Sequence, residues 1–237
     1  MTELAQVTKP LTRVQRVWYA FVRALIAGFC KVFWRLRVEG SEHIPTEGPF
    51  ILSPVHRSNI DTPLVSAVTH RALRYMGKDA MWKYGWSAWF FTSLGGFPVH
   101  RGTADREALK KCVAVLQGGE PLVLFPEGTR RSGPVVDELF DGAAYVSVRT
   151  GAPIVPVGIG GSERAMPKGA RFIHPVRLRM VVGPPIHPPP SEGGARAPRR
   201  AVRELTAELQ ARLQQLFDEA QAKAGADRSL SRQLPRG

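Results

Sequence analysis

His56 and Asp61 stand five positions apart in the stretch SPVHRSNIDTPL, residues 53–64. A histidine whose ring nitrogen is held by a carboxylate has a fixed tautomer and a second nitrogen free to take a proton. The carboxylate also stabilises the imidazolium that results. On a straight helix, five residues turn through about 140°, so the two side chains would diverge. The pair meets only if the segment is a turn. Thr62-Pro63, a hydroxyl N-cap followed by proline at the first helical position, predicts a helix that opens just beyond it and runs to about His70. This is the histidine and carboxylate part of a triad without an evident protein nucleophile. Ser58 is nearby, but nothing in the sequence marks it as activated. A histidine turn satisfied by local hydrogen bonds is the plainer alternative. Position favours chemistry, because the apolar run PFILS (49–53) leads into the turn and α/β folds place their sites at the carboxyl ends of strands.

FPEGTRRSG (125–133) is the second such stretch. A buried strand running into it would bring a carboxylate (Glu127), a close-approach backbone (Gly128), a hydroxyl (Thr129) and a guanidinium (Arg130) to one rim. Such a turn can hold a polyol through Glu127 and a phosphate through Arg130, Thr129 and backbone amides. A salt-bridged surface turn uses the same residue types. Arg101, closing GGFPVHR, is a third cation at a strand end and could clamp the phosphate from the other side; a solvated arginine is its plainer reading.

The elements that must position these groups follow from periodicity and punctuation. LRVEG (36–40), PFILS, GGFPV, PLVLF, GAPIVPVGIGG (151–161) and VRLRMVVGPPI (176–186) are apolar runs bounded by Gly and Pro, hence strands. Residues 105–117 have helical periodicity through Leu109, Cys112, Val113 and Leu116, closed by Gly118-Gly119. Near-continuous apolar strands alternating with helices predict an α/β fold: a single domain with a mostly parallel central sheet flanked by helices. The expected division is an N-terminal interfacial helix within 1–35, the sheet domain over 36–190, a C-terminal helix over 191–225 and a disordered tail over 226–237. Pro184–Pro190 reads as a stiff linker. Val202, Leu205, Leu209, Leu213, Leu216 and Phe217 make the apolar stripe of the last helix.

With 237 residues the chain has room for one sizeable core. Lys and Arg number 33 against 20 Asp and Glu, a net charge of +13, so an anionic partner is expected: phospholipid, a phosphorylated substrate or nucleic acid. No nucleic-acid motif accompanies that charge, which ranks nucleic acid last. Cys30 and Cys112 lie far apart in apolar surroundings and read as buried thiols, neither a disulfide nor a zinc site. Val17–Trp34 is apolar but interrupted by Arg23 and Lys31, so it reads as a helix lying in a headgroup layer or packing on its own domain, not as a span. MWKYGWSAWFF (81–91) spaces Trp82, Trp86, Trp89 and Phe90 as one aromatic helical face, for core packing or for lipid.

Taken in order, these blocks resemble the glycerolipid acyltransferases, in particular the 1-acylglycerol-3-phosphate acyltransferases, over about residues 36–190. The family's histidine and aspartate separated by four residues match His56 and Asp61. Its glycine-to-arginine strand matches Gly95 or Gly96 through Arg101. FPEGTR matches Phe125 to Arg130, with the usual serine displaced to Ser132 by Arg131. IVPV matches Ile154 to Val157, where Pro156 shapes the site wall. Val55 stands where many members have asparagine, and His100 where an acidic or amide residue often precedes the arginine; neither change removes a reacting group.

The resemblance implies direct acyl transfer. His56 deprotonates the sn-2 hydroxyl of lysophosphatidate, which attacks the thioester of acyl-CoA or acyl carrier protein, and Asp61 holds the imidazole. Arg101 and Arg130 bind the phosphate, Glu127 orients the glycerol, and Gly128 and Thr129 complete the turn. No metal or cofactor is implied. The expected partner is an anionic membrane, and the expected location its cytoplasmic face, peripheral or monotopic. Rival readings are transfer to another lysophospholipid or to glycerol phosphate, hydrolysis of a thioester or lysolipid, and a non-catalytic lipid-binding protein.

Overall fold

The computed structural model describes residues 11–99, 106–190 and 197–225; His100, Arg101 and the tail from 226 lie outside them. Seven strands form one sheet: β1 (Arg37–Glu39), β2 (Ile51–Pro54), β3 (Arg74–Lys78), β4 (Gly96–Val99), β5 (Leu122–Val123), β6 (Ile154–Gly160) and β7 (Arg179–Val182). Their order is β1-β7-β6-β2-β5-β3-β4, and every neighbouring pair is parallel except β6 with β7. All residues of β2 and β6 are buried, as expected of strands covered on both faces.

The helices are α1 (Arg13–Phe33), α2 (Asp61–Val65), α3 (Gly85–Ser93), α4 (Arg106–Gln117), α5 (Gly142–Thr150), α6 (Ser162–Ala165) and α7 (Arg199–Lys223). α1 opens with a capping box in which Thr12 Oγ1 accepts from Gln15 N–H and Gln15 accepts from Thr12 N–H. α7 lies on β6 so closely that a Cβ at Gly158 would strike the backbone of Leu216 and Phe217, and one at Gly160 that of Ala220. Those two glycines form the slot that seats the helix.

Crossovers in a parallel sheet are right-handed. The connections β2 to β3 and β3 to β4 run one way across the sheet, while β4 to β5 and β5 to β6 run back. Therefore α2 and α3 cover one face and α4 and α5 the other. The contacts agree: α1 rests on α2 and α3, whereas α4 touches α5 and α5 touches α7. β2 and β5 are neighbours whose outgoing connections leave toward opposite faces, and a crevice opens beyond their ends.

Three expectations need correction, and one helix was not expected at all. The helix after His56 starts at Asp61 with Ile60 as its N-cap, not at Thr62, and gives way to a 3₁₀ turn over Ser66–Val68. Thr62 is exposed, and it is Asp61 that accepts the turn amides. The aromatic segment is broken: a 3₁₀ turn holds Trp82 and α3 begins at Gly85. Helix α5 falls in a stretch whose sequence carried no assignment. Residues 184–190 are not a free linker, since Ile186 pairs with Ile154 and is 5% exposed.

Candidate active site

The turn after β2 is built by Asp61. As the first residue of α2 it is fully buried, and its Oδ2 accepts the backbone N–H groups of Arg57 and Ser58, each at 2.6 Å. The same oxygen lies 3.1 Å from His56 Nδ1. Folding the carboxylate back onto the loop thus joins two residues that a helix would separate. With Nδ1 donating to Asp61, Nε2 is left with its lone pair and without a partner among the described residues. The His56 side chain is 17% exposed and its ring packs at a tilt on Phe125, with centroids 4.2 Å apart. A base of this kind is fixed in tautomer, supported by a counter-charge and open on one side.

Glu127 does something other than hold a glycerol. It is 0% exposed; Oε1 accepts the His56 backbone N–H at 2.8 Å and Oε2 meets Arg57 Nη1 at 2.5 Å. Both oxygens face inward, so this carboxylate ties the strand-end turn after β5 to the histidine loop. Its partner Arg57, which sequence reasoning missed, is 1% exposed; Nη2 donates to Val135 O at 3.0 Å, and the guanidinium lies 4.8 Å from the centre of the Phe217 ring. A buried pair of this sort is strongly destabilising when half of it is removed, about 3–5 kcal/mol. Arg131 N–H adds a second tie, to His56 O at 2.9 Å. The arginine directly after the histidine was the available signal, but nothing in a sequence separation of 70 residues links it to Glu127.

Gly128 adopts φ of 64° with its α-carbon against the Phe140 ring, where a Cβ would collide, so glycine is required there twice over. Gly128 and Thr129 are exposed, and Arg130 is half-exposed with no guanidinium partner among the described residues. Pro156 does not line an open wall: it is buried inside β6, opposite Ser53 in the ladder and against Gly183. Arg101 lies outside the described residues. Ser58 Oγ donates to Met166 O at 2.8 Å, a structural bond. Among the described residues, no group of three or more His, Cys, Asp or Glu side chains is placed to hold a metal.

The loop over this network is held by α7. Gln214 accepts from Val136 N–H at 2.7 Å and donates to Pro134 O at 3.0 Å, and Gln210 donates to the carbonyls of Val136 and Asp137. Val135, between these anchors, supplies the carbonyl that Arg57 uses. The chain of contacts runs from α7 through loop 134–137 and Arg57–Glu127 to the backbone of His56.

Residues 35–160, just over half of the chain, match the model of the family described as Acyltransferase. A chloroplastic 1-acyl-sn-glycerol-3-phosphate acyltransferase of Arabidopsis thaliana is 25% identical over 159 residues, 65% of this chain and 44% of that protein. The Brassica napus relative of the same description is 23% identical, over 74% of this chain and 52% of its own length. The chain thus spans about half the length of these plant relatives. A Bacillus subtilis (strain 168) protein of the same description is 26% identical over 64% of this chain and 74% of its own length. Among solved structures, the 1-acyl-sn-glycerophosphate (LPA) acyltransferase of Thermotoga maritima superposes with a TM-score of 0.64 at 26% identity, covering 85% of this chain and 82% of its own.

Proposed function

The chain belongs to the acyltransferase family, and from that premise we propose that it moves a fatty acyl group from a thioester donor to the sn-2 hydroxyl of 1-acylglycerol-3-phosphate, forming phosphatidate. The observation that carries the reading is the His56–Asp61 contact of 3.1 Å with Nε2 open. His56 Nε2 takes the hydroxyl proton as the oxygen attacks the thioester carbonyl. The tetrahedral adduct collapses, the C–S bond breaks, and the imidazolium returns the proton to the leaving sulfur. Asp61 stabilises the imidazolium, and general base catalysis of this kind contributes about 10²–10⁴-fold. Arg130, joined by Arg101, meets the acceptor phosphate; Gly128 and Thr129 shape the same rim. Glu127 and Arg57 position the histidine loop and do not touch substrate. Relatives that acylate 1-acyl-sn-glycerol-3-phosphate favour lysophosphatidate over other acceptors.

The acceptor is a lipid, and the outer face of α1 suits a bilayer. Val14, Val17, Phe21, Leu25, Phe29 and Val32 follow helical spacing and are 47–81% exposed. Trp86 (72% exposed) and Trp89 (64%) extend that surface, with Trp89 6.1 Å from Trp18 between ring centres. Arg13, Arg16, Lys31, Arg35 and Lys83 are exposed on or near the same helices and add positive charge, which suits anionic lipid. No helix among the described residues is long and apolar enough to cross a membrane. The reading is a peripheral or monotopic enzyme, proposed for the cytoplasmic leaflet, with α1 as its interfacial helix.

The test is acyl transfer by the purified protein in detergent from oleoyl-CoA to lysophosphatidate, glycerol-3-phosphate and lysophosphatidylglycerol side by side. Phosphatidate from lysophosphatidate alone is the expected result. Acylation of another acceptor reassigns the substrate, and release of free fatty acid without transfer overturns the reaction class in favour of a hydrolase.

A further inference from the structure

Between α6 and β7 the chain leaves the sheet and returns through residues 166–178. The base of this loop is fixed. His174 N–H donates to Ala165 O at 2.7 Å and closes it; Trp34 Nε1 donates to His174 O at 2.9 Å, and Leu178 N–H to Trp34 O at 3.0 Å. Pinned in this way, the loop holds its tip outward. Pro167 to Gly169 and Arg171 to Pro175 are exposed, Phe172 to 78% and Ile173 to 38%. Two adjacent large apolar side chains thus face water, an arrangement that an apolar partner would relieve.

The charge along this segment has one sign. From Arg164 to Ser191 the sequence contains Arg164, Lys168, Arg171, Arg177 and Arg179 and no Asp or Glu. Glu163, just before the run, accepts from Gly133 N–H at 3.4 Å, and Glu39, opposite Val181 in the β1–β7 ladder, pairs with Lys223.

Trp34 joins the loop to the outward stripe of α1. It is buried, and its ring meets that of Phe29 edge-on at 5.3 Å between centres; Phe29 is 47% exposed and belongs to the stripe. The loop base also reaches the histidine turn. Met166 O accepts from Ser58 Oγ at 2.8 Å, and the Ser58 N–H is one of the two amides held by Asp61.

We infer that residues 167–173 are a second lipid contact, in which Phe172 and Ile173 enter the headgroup and acyl boundary of an anionic bilayer while Lys168 and Arg171 meet its phosphates. The inference rests on the reading of α1 as a membrane face and adds a contact at its far end. Trp86 and Trp89 extend that face near the start of α1, where Trp89 lies 6.1 Å from Trp18; the loop extends it beyond Trp34. Contacts at both ends of one helix set its tilt on the bilayer. Because the loop base also holds Ser58, they set the tilt of the histidine turn with it. A polynucleotide or an acidic protein would use the cations and leave Phe172 and Ile173 in water, whereas a bilayer accounts for both.

The experiment places an environment-sensitive nitrobenzoxadiazole dye on the full chain through Ile173→Cys or, as a control, through Gln215→Cys on the exposed side of α7, across the sheet from α1. The native thiols Cys30 and Cys112 are buried, so labelling is confined to the new one. Vesicles of phosphatidylglycerol and phosphatidylcholine are added, with and without spin-labelled lipid. A blue shift and spin-label quenching at position 173, with neither at 215, are the expected result. Phe172→Ser with Ile173→Ser should weaken partition about tenfold at an unchanged melting temperature. Lys168→Glu with Arg171→Glu should weaken it about tenfold on anionic vesicles and little on neutral ones. A chain that binds vesicles while the dye at 173 stays silent overturns the loop contact and leaves the α1 reading standing, which Val17→Ser, Phe21→Ser, Leu25→Ser tests separately. No vesicle binding by the wild type removes both. A response at 215 equal to that at 173 overturns the loop contact, and so does a shift at 173 given as fully by heparin as by vesicles, which would assign the segment to a polyanion.

Discussion

α1 and α7 are the two longest helices, and each carries an apolar stripe at helical spacing, yet the stripes end in opposite surroundings. In α7, Val202, Leu205, Leu209, Leu213 and Phe217 are at most 6% exposed on the sheet. In α1, only Tyr19 and Cys30 are buried, and the stripe from Val14 to Val32 faces outward. The difference lies in the partner. β6 offers α7 a slot cleared by Gly158 and Gly160, so backbone packs on backbone. α1 is attached more lightly, by Tyr19 Oη accepting from Leu73 N–H at 3.2 Å and Trp34 Nε1 donating to His174 O at 2.9 Å. A stripe states that a helix needs an apolar neighbour; it does not state whether that neighbour is protein or lipid.

Substitutions on each stripe can break this comparison. Phe217→Ala should have the largest effect, a loss of about 3–5 kcal/mol of stability in urea unfolding, because it opens a cavity in the core and removes the ring beneath Arg57. Retention of full stability would mean that α7 is not structural. The triple change Val17→Ser, Phe21→Ser, Leu25→Ser should leave stability within about 0.5 kcal/mol per site, since surface changes do little. Partition onto anionic vesicles should fall about a hundredfold, from loss of roughly 1.5–3 kcal/mol for each fully buried apolar side chain, moderated by partial insertion. A triple variant that unfolds instead would put that stripe on protein.

Gln214→Ala sharpens the role of α7. It removes two bonds to loop 134–137 and should cost about 1–2 kcal/mol. kcat should fall several-fold with the KM for lysophosphatidate unchanged, because the loop acts through Arg57 on His56; Gln214→Glu, which keeps the acceptor for Val136 N–H, should recover part of it. The smallest effect at neutral pH concerns the thiols. Burial pushes Cys30 up to about 11 and Cys112 up to about 12 from an ordinary 9.0. Between those values the unfolded chain holds fewer protons, so stability should be flat near pH 7 and decline as pH rises above about 9. A pH series of urea midpoints checks this, and a midpoint rising over that interval would contradict it.

Much of the fold was legible because it depends on local pattern. The apolar runs at 49–53 and 151–161 became β2 and β6, buried at every position, and Gly118-Gly119 ended α4 where expected. The His56–Asp61 contact was legible for the same reason: it is local, and helical geometry allowed it only if the segment is a turn. The Arg57–Glu127 pair was not, because its members meet only when β2 and β5 become neighbours. Reading Glu127 as a ligand for substrate followed from its motif, whereas both its oxygens are taken by the His56 N–H and by Arg57, from elsewhere in the chain. Helix α5 was missed since it is short and its small residues, Gly142, Ala143, Ala144 and Ser147, give little periodic contrast. The helix start at Asp61 was displaced from Thr62 because a carboxylate that caps the preceding turn outweighs a hydroxyl-proline signal one residue later.

The central claim is that His56, held by Asp61, is the base. The direct measurement is acylation of lysophosphatidate by His56→Ala and Asp61→Asn beside the wild type, with thermal unfolding recorded for each. Loss of about 10²–10⁴-fold in His56→Ala at an unchanged melting temperature, with a smaller loss in Asp61→Asn, is the predicted result. A folded His56→Ala protein that transfers acyl groups at the wild-type rate would contradict the account.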